Sequence, residues 1–187
     1  MRDDAPATAR RRGNGGTATS DTASGGTGYY PPMPYYFAYG ALMGTSSMYE
    51  ACPEARKVGP ARLGGFRMEF NVASRQWRGG AVNAIPDPEG TIWGVLWEIP
   101  DEAFERFDTF EGADPTLDMR EDVEVEGPVG PVRARTFRVA SHSAYIRPTE
   151  AYLRHLQKAI STQGLPQEAE ELLQRADRFP NTPTPTI

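Results

Sequence analysis

Hydrophobic and polar residues alternate with a period of two in several stretches of the chain, the pattern of β-strands that bury one face. The clearest stretch alternates Phe66, Met68, Phe70 and Val72 with Arg67, Glu69 and Asn71. The aromatic segment 35–39 predicts a second strand, which stops at Gly40. Segment 81–85 predicts a short strand that is halted by Pro86 and Pro88.

Two further regions predict strands. Residues 91–99 are apolar on both faces, which indicates a central strand. Val123 and Val125, followed by segment 132–139, predict a hairpin around the turn at 127–131. Strands therefore make up most of the predicted secondary structure.

Helical patterns lie between and after these strands. Segment 101–110 predicts a helix with Asp101 as its N-cap. Segment 150–162 predicts a second helix that ends near Gly164, and Pro166 suits the first turn of a last helix. Strands outnumber helices, and most connections are too short for parallel crossovers. The predicted fold class is therefore α+β, a small mixed sheet or barrel with flanking helices.

The two ends of the chain differ in composition from the middle. Residues 1–28 are rich in Gly, Thr, Ala and Ser and nearly lack large apolar groups. Such a segment buries too little surface to offset its ordering entropy, which predicts a disordered tail. Residues 179–187 are rich in Pro and Thr and predict a second flexible tail. We expect one folded domain over residues 29–178.

Charge and composition exclude several classes of protein. The net charge of −5 gives no bulk attraction to phosphates, so we expect no nucleic-acid partner. No apolar run is long enough to span a bilayer, so we expect no membrane partner. Cys52 is the only cysteine, which suits a reducing, cytoplasmic compartment. His142 and His155 lie in no metal-ligand or nucleophile motif, so we expect no metal and no cofactor.

One carboxylate occupies an unusual position in the helix predicted over 101–110. Glu111 follows Phe104 by seven residues and Phe107 by four, which places it on the buried stripe. Burial and the negative end of the helix dipole would both raise the pKa of Glu111, as a general acid–base requires near neutral pH. The alternative is that the helix frays at Phe110 and Glu111 points into solvent.

The segment 39–44 (Tyr-Gly-Ala-Leu-Met-Gly) predicts a turn directly after an aromatic strand. Without a Cβ at Gly40, a ligand can approach the backbone, and consecutive N–H groups can converge on an anionic oxygen. The alternative is that Gly40 only closes a turn.

These motifs together resemble the γ-glutamylcyclotransferase family. Segment 36–40 (Tyr-Phe-Ala-Tyr-Gly) resembles its opening signature, and segment 107–112 (Phe-Asp-Thr-Phe-Glu-Gly) resembles its Leu-Asp-x-x-Glu-Gly motif. Further matching segments follow in the family's order at 61–63, 77–81, 92–95 and 164–166. The resemblance extends from about residue 35 to residue 175.

The resemblance implies a small mixed β-barrel with flanking helices. It implies cyclisation of a γ-glutamyl group to 5-oxoproline with release of the attached amine, with Glu111 as acid–base and no cofactor. A small γ-glutamyl amino acid or amide would be the substrate. The substrate-binding residues that it implies are Tyr36, Phe37, Ala38, Tyr39, Gly40, Ala41, Leu42 and Tyr152. The alternative for Tyr152 is a core aromatic residue.

The sequence departs from the family at three places. Ala41 and Leu42 replace the usual Ser and Asn of the turn. Leu117 and Asp118 stand where the family has a tyrosine after the glutamate, and Phe137 replaces another expected tyrosine. The pocket is thus predicted to be more apolar than in the family, with a changed substrate.

Three hypotheses about function remain at this point. The first is an active cyclotransferase, which the retained glutamate favours. The second is a non-catalytic module that binds γ-glutamyl compounds or another small metabolite, which the altered turn favours. The third is a structural protein that forms a homodimer, which exposed aromatic patches would indicate.

Overall fold

The computed structural model describes residues 33–110, 118–140 and 143–178. Its strands are β1 (Tyr35–Ala38), β2 (Arg56–Ser74), β3 (Gly79–Glu98), β4 (Asp118–Gly127) and β5 (Gly130–Val139). Its helices are α1 (Thr45–Ala51), α2 (Ala103–Phe110), α3 (Glu150–Gln163) and α4 (Gln167–Arg178), and a short 3-10 helix spans Ala41–Met43. The domain limits expected from the sequence stay a prediction.

The five strands form a closed barrel in the order β1-β3-β2-β4-β5. The pairs β2–β3 and β4–β5 are antiparallel hairpins, and β1 pairs antiparallel with β3. A parallel pairing of β1 with β5 closes the ring. The α+β class and the predicted barrel with flanking helices are confirmed, as is the hairpin around 127–131.

The barrel interior is filled by side chains from all five strands. The buried members of this cluster are Phe37, Tyr39, Ala61, Leu63, Ala84, Ile92, Leu96, Val123, Val125 and Ala134. Each strand contributes alternate residues to it, because successive side chains of a strand point to opposite faces. The interior is therefore a packed core of strand residues.

A second cluster lies between the outer face of the barrel and the helices. Its residues include Phe104 and Phe107 of α2 and Tyr152 and Leu156 of α3. The predicted helix at 150–162 is confirmed as α3. The Thr149 hydroxyl caps its N-terminus, and Gly164 ends it in the left-handed conformation at φ 73°.

Helix α2 begins at Ala103, two residues later than the sequence predicts. Its first turn is bonded from the Ala103 N–H to the Pro100 carbonyl oxygen at 3.0 Å. The Asp101 carboxylate does not cap the helix but forms an ion pair with Arg135 at 2.5 Å. The Asp101 carboxylate, which the sequence predicts as the helix cap, is therefore bound to Arg135 instead.

The predicted strand break at Pro86 and Pro88 is wrong, because β3 runs continuously from Gly79 to Glu98. Pro86 pairs with Phe66 of β2, and the next pair is Thr91 with Gly64. The four residues 87–90 of β3 thus face a single residue of β2, which forms a bulge. A bulge leaves residues unpaired, so it accommodates Pro88 without loss of a ladder hydrogen bond.

The prediction that Glu69 and Asn71 lie on an exposed strand face is also wrong. Their exposed fractions are 6% and 1%. The Glu69 carboxylate accepts hydrogen bonds from the Arg67 guanidinium and, at 2.8 Å, from the Asn71 amide. These bonds compensate the Glu69 carboxylate and the Asn71 amide nitrogen for the water that they lose on burial, whereas Asn71 Oδ1 has no partner among the described residues.

The segment before α3 crosses β2 and β3 at close range. The Gly80 N–H donates to the Arg147 carbonyl at 3.0 Å, and the Ile146 N–H donates to the Phe70 carbonyl at 2.7 Å. A Cβ at position 80 would lie 1.9 Å from the Ile146 carbonyl oxygen, so only glycine fits there. This crossing places α3 beside the turn that follows β1.

Candidate active site

The predicted turn leads from β1 into the 3-10 helix. The Met43 N–H donates to the Gly40 carbonyl at 3.1 Å, which is the first hydrogen bond of this helix. The N–H groups of Ala41 and Leu42 precede that bond, so they have no acceptor within the helix. Both side chains are completely buried. The burial includes the backbone of both residues, so Gly40, which is only partly buried, is the residue of the turn that a ligand can reach in this structure.

The imidazole of His155, on α3, fixes the turn from one side. Its Nε2 lies 2.8 Å from the Ala41 carbonyl oxygen, so Nε2 carries the proton and donates it. The ring also stacks against Trp77, with 4.9 Å between the ring centroids. Sequence reasoning missed this role, because no motif surrounds His155 and the contact arises only when α3 packs against the turn.

A small cavity lies beside the turn. Its accessible volume is about 40 Å³, which holds a few water-sized groups. The described residues that line it are Tyr36, Tyr39, Gly40, Val72, Ala81, Val82, Asn83, Phe137, Arg138 and Val139. Tyr36, Tyr39 and Gly40, which the sequence assigns to substrate binding, are thus brought together here.

Two polar side chains fix the cavity walls. The Tyr39 hydroxyl donates to the Phe137 carbonyl at 2.6 Å and accepts from the Ala84 N–H at 3.1 Å. The Asn83 amide donates to the Val139 carbonyl at 2.9 Å and accepts from the Val139 N–H at 3.0 Å. Strands β3 and β5 are therefore joined beyond the end of β1. Sequence reasoning missed Asn83, although it is a polar residue in a strand segment of small apolar residues.

Tyr152 projects from α3 toward the turn. Its side chain is buried, and its ring lies 4.8 Å from that of Trp77 between centroids. Its hydroxyl oxygen is 3.5 Å from the Val82 nitrogen. A Cβ built at Gly40 would lie 3.5 Å from the same oxygen and 3.2 Å from a Val82 methyl group. Tyr152 thus packs beside two residues that line the cavity.

Helix α2 contacts the cavity through Tyr36. The Tyr36 ring lies 5.0 Å from the Phe107 ring and 5.9 Å from the Phe104 ring between centroids. Both phenylalanines are buried, as the helical stripe predicts. α2 ends at Phe110, the residue before Glu111. Glu111 itself lies outside the described residues.

The other predicted substrate-binding residues lie away from the cavity lining. Phe37 is in the barrel interior, and Ala38 belongs to the cluster between barrel and helices. Among the positions that depart from the family, Phe137 lines the cavity and packs its ring 6.0 Å from that of Tyr36. Leu117 lies outside the described residues, and Asp118 begins β4.

Comparisons with known proteins bear on the family and on the fold. Residues 91–172 match the model of the AIG2-like family. A search of curated proteins gives no significant match.

Solved structures share the fold over most of the chain. An uncharacterised protein from Homo sapiens, loc79017, is 25% identical with a TM-score of 0.71, covering 84% of this chain and 94% of that one. A gamma-glutamyl cyclotransferase is 24% identical with a TM-score of 0.69, covering 82% and 92%. A gamma-glutamyl cyclotransferase specific to glutathione, from yeast, is 14% identical with a TM-score of 0.59, covering 80% and 98%.

The fold is that of the γ-glutamylcyclotransferase and AIG2-like superfamily. The resemblance found in the sequence is thereby confirmed.

Among the described residues that line the cavity, one is charged. Arg138 of β5 donates from Nε to the Glu121 carboxylate at 2.5 Å, and its side chain is only 15% exposed. Sequence reasoning missed it, although Arg138 stands in phase with the inward-facing Ala134 and Thr136.

The described groups with shifted pKa values lie outside the cavity. Burial and the Glu54 carboxylate raise the pKa of the Cys52 thiol. A hydrogen bond from its own backbone N–H, together with Arg106, lowers the pKa of Glu54. Burial and the Asp177 carboxylate raise the pKa of Tyr145.

Other binding chemistries find less support in the described part of this cyclotransferase fold. Residues 33–110, 118–140 and 143–178 contain no group of three His, Cys, Asp or Glu side chains that could hold a metal ion. None of the described helices is long and apolar enough to cross a membrane. A larger cavity of about 570 Å³ lies between the β2–β3 hairpin and α4, but none of the predicted site residues lines it.

Proposed function

We propose that the protein is a γ-glutamylcyclotransferase-type enzyme. It cyclises the γ-glutamyl group of a small amide to 5-oxoproline and releases the amine. The observation that supports this most is that the turn after β1 and a residue packed against α2 line the same cavity. The Tyr39–Gly40 turn lines it, and so does Tyr36, which packs against the α2 stripe that leads to Glu111.

The reaction needs few protein groups. The α-amine of the substrate attacks the γ-carbonyl carbon and forms the new ring C–N bond, while the C–N bond to the leaving amine breaks. The proton lost by the attacking amine passes to the leaving nitrogen, so atoms and charge balance. A single carboxylate can take that proton from the attacking amine and give it to the leaving nitrogen. Holding the substrate folded supplies the advantage of proximity.

Glu111 is the residue that we propose as the proton carrier. Phe104 and Phe107 are buried against Tyr36, and position 111 continues their stripe by one further turn. We propose that the Glu111 carboxylate reaches the cavity, because the sequence spacing of residues 104, 107 and 111 is that of one helical stripe. Glu102 and Glu105, on the same helix segment, are exposed.

We propose that backbone N–H groups of the turn donate hydrogen bonds to the oxyanion that develops during the reaction. The N–H groups of Ala41 and Leu42 precede the first hydrogen bond of the 3-10 helix, and the Ala41 carbonyl is fixed by His155. Donors that are held in place before the reaction lower the barrier because they need no reorganisation. Ala41 and Leu42 are completely buried, so the proposal requires the turn to shift and expose these N–H groups when the substrate binds.

The experiment is product analysis with a panel of γ-glutamyl amides of increasing apolar bulk. We expect 5-oxoproline from at least one member, and a loss of kcat by about 10²- to 10⁴-fold in Glu111→Gln, which cannot shuttle a proton. Glu105→Gln is the matched control on the exposed face of α2 and should leave kcat unchanged. Absence of 5-oxoproline across the panel would refute the proposal.

The second candidate is a module that binds γ-glutamyl compounds without turnover. It is favoured by the complete burial of Ala41 and Leu42, which leaves the turn without an accessible polar side chain. It predicts that γ-glutamyl amides raise the Tm of the wild type and of Glu111→Gln equally, with no product. Product formation that Glu111→Gln abolishes would exclude this candidate.

A further inference from the structure

Arg138 is a cation that follows two buried residues on the inward face of β5. Ala134 and Thr136 of β5 are buried, with exposed fractions of 1% and 2%, and Ala134 belongs to the barrel interior. Arg138 follows them with the period of two, so it stands on the same inward face at the end of the strand. It is also one of the residues that line the cavity beside Gly40.

The guanidinium of Arg138 is only partly compensated. Its Nε donates to the Glu121 carboxylate at 2.5 Å. Its two terminal nitrogens form no hydrogen bond to any residue that the structure describes. The side chain is only 15% exposed, but these two nitrogens are not among the fully buried atoms without a partner, so they keep contact with solvent. A cation in that situation gains from an anionic partner.

The two terminal nitrogens of the guanidinium determine which shape of anion can bind to it. Two terminal nitrogens form a planar fork that matches the two oxygens of a carboxylate. A cavity of about 40 Å³ suits a carboxylate with its attached carbon better than a larger anion. The Glu121 carboxylate at Nε offsets part of the charge, which favours a singly charged partner over a doubly charged one.

We propose that Arg138 binds the α-carboxylate of the γ-glutamyl group and thereby restricts the substrates to those with a free α-carboxylate. This inference rests on the proposed function, because it assigns one end of the same substrate. The α-carboxylate and the attacking α-amine share one carbon atom. Fixing the carboxylate at Arg138 therefore limits the positions that the amine can take.

The competing interpretation is a purely structural Arg138–Glu121 ion pair. It predicts equal effects of Arg138→Gln and Glu121→Gln, because either change breaks the pair. Recognition predicts different effects, because Glu121→Gln retains the cation and Arg138→Gln removes it.

The experiment compares two matched substrates, a γ-glutamyl anilide with a free α-carboxylate and its α-carboxamide analogue. With the wild type we expect kcat/KM to be about 10- to 100-fold higher for the carboxylate, the range for a hydrogen bond to a charged group. Arg138→Gln should abolish this preference, whereas Glu121→Gln should retain it. Arg133→Gln is the control on the same strand, since its side chain is 79% exposed. Equal rates for both substrates with the wild type would overturn the inference while the proposed function stands.

A binding measurement separates this inference from turnover. If no anilide is cyclised, calorimetry with the two anilides still tests Arg138. Binding of the carboxylate form that Arg138→Gln weakens at least about tenfold supports the inference even though the proposed function has failed. Binding that ignores the carboxylate, or no binding, overturns it. Should Arg138→Gln fail to fold, Arg138→Lys keeps the charge and should retain the preference in reduced form.

Discussion

Different interactions hold the strands together in the barrel interior and at the cavity end of the barrel. In the interior, apolar side chains such as Phe37 and Leu96 fill the space between five strands. At the cavity end, β1 stops at Ala38 while β3 and β5 continue. Hydrogen bonds from Asn83 and the Tyr39 hydroxyl to the backbone bridge the gap that β1 leaves.

This difference explains why the cavity exists at that end. Apolar side chains pack closely because their attraction has no preferred direction, so a core of such side chains leaves no room for a ligand. Hydrogen bonds between a side chain and a backbone fix two strands at a distance set by the side chain, and they leave polar groups at the wall. The interior should therefore govern stability, and the cavity end should govern binding and turnover.

The largest expected effect comes from opening the interior. Leu96→Ala removes a completely buried side chain and should lower the free energy of unfolding by about 3–5 kcal/mol. Turnover per folded molecule should change little. Urea unfolding checks the stability, with Val129→Ala as the exposed control. A Leu96→Ala protein of full stability would contradict the role given to the interior.

Breaking the bridge at the cavity end comes next. Asn83→Leu leaves the N–H and the carbonyl of Val139 without their present partner and should cost about 2–4 kcal/mol. Because these groups form the cavity wall, turnover should fall more than in Leu96→Ala. Urea unfolding and kcat/KM measured on the same samples test both parts. If activity follows stability alone in both variants, the two regions do not differ as described.

A smaller effect is expected from Tyr39→Phe. The variant keeps the ring in the interior but loses the hydrogen bonds to the Phe137 carbonyl and the Ala84 N–H. We expect a loss of about 1–2 kcal/mol in the free energy of unfolding and a clear rise in KM, because a cavity wall loosens. Thermal unfolding and steady-state kinetics measure the two. An unchanged KM would show that this wall does not shape the site.

The smallest effect is a pH dependence that leaves the cavity end untouched. Burial raises the pKa of Cys52 above its ordinary value of 9.0, so the folded chain holds that proton to higher pH than the unfolded chain. The folded state then binds more protons, and the free energy of unfolding falls as the pH rises above about 9. Urea unfolding between pH 8 and 10 should show the fall, and Cys52→Ala should reduce it. A slope that is identical in Cys52→Ala would contradict this assignment.

The sequence predicted those features that depend on local pattern. The strand at 35–39, the hairpin around 127–131 and helix α3 with Gly164 at its end follow from alternation, turn residues and capping. The burial of Phe104 and Phe107 follows from helical spacing. These features need no knowledge of distant contacts.

The features that escaped prediction depend on tertiary partners. Glu69 and Asn71 are buried because each bonds to a neighbour, which alternation alone cannot reveal. The contact of His155 with Ala41 joins residues that are 114 positions apart. The bulge at 87–90 depends on how β2 and β3 come into register. Patterns within one segment carry no information about such partners.

In the proposed reaction the substrate's own amine, and not water, opens the γ-glutamyl amide. The most direct measurement is mass spectrometry of the products formed in ¹⁸O-labelled water from an active γ-glutamyl amide. We predict 5-oxoproline without ¹⁸O, and its loss in Glu111→Gln but not in Glu105→Gln. Glutamate that carries ¹⁸O would show hydrolysis by water instead and would rule out cyclisation.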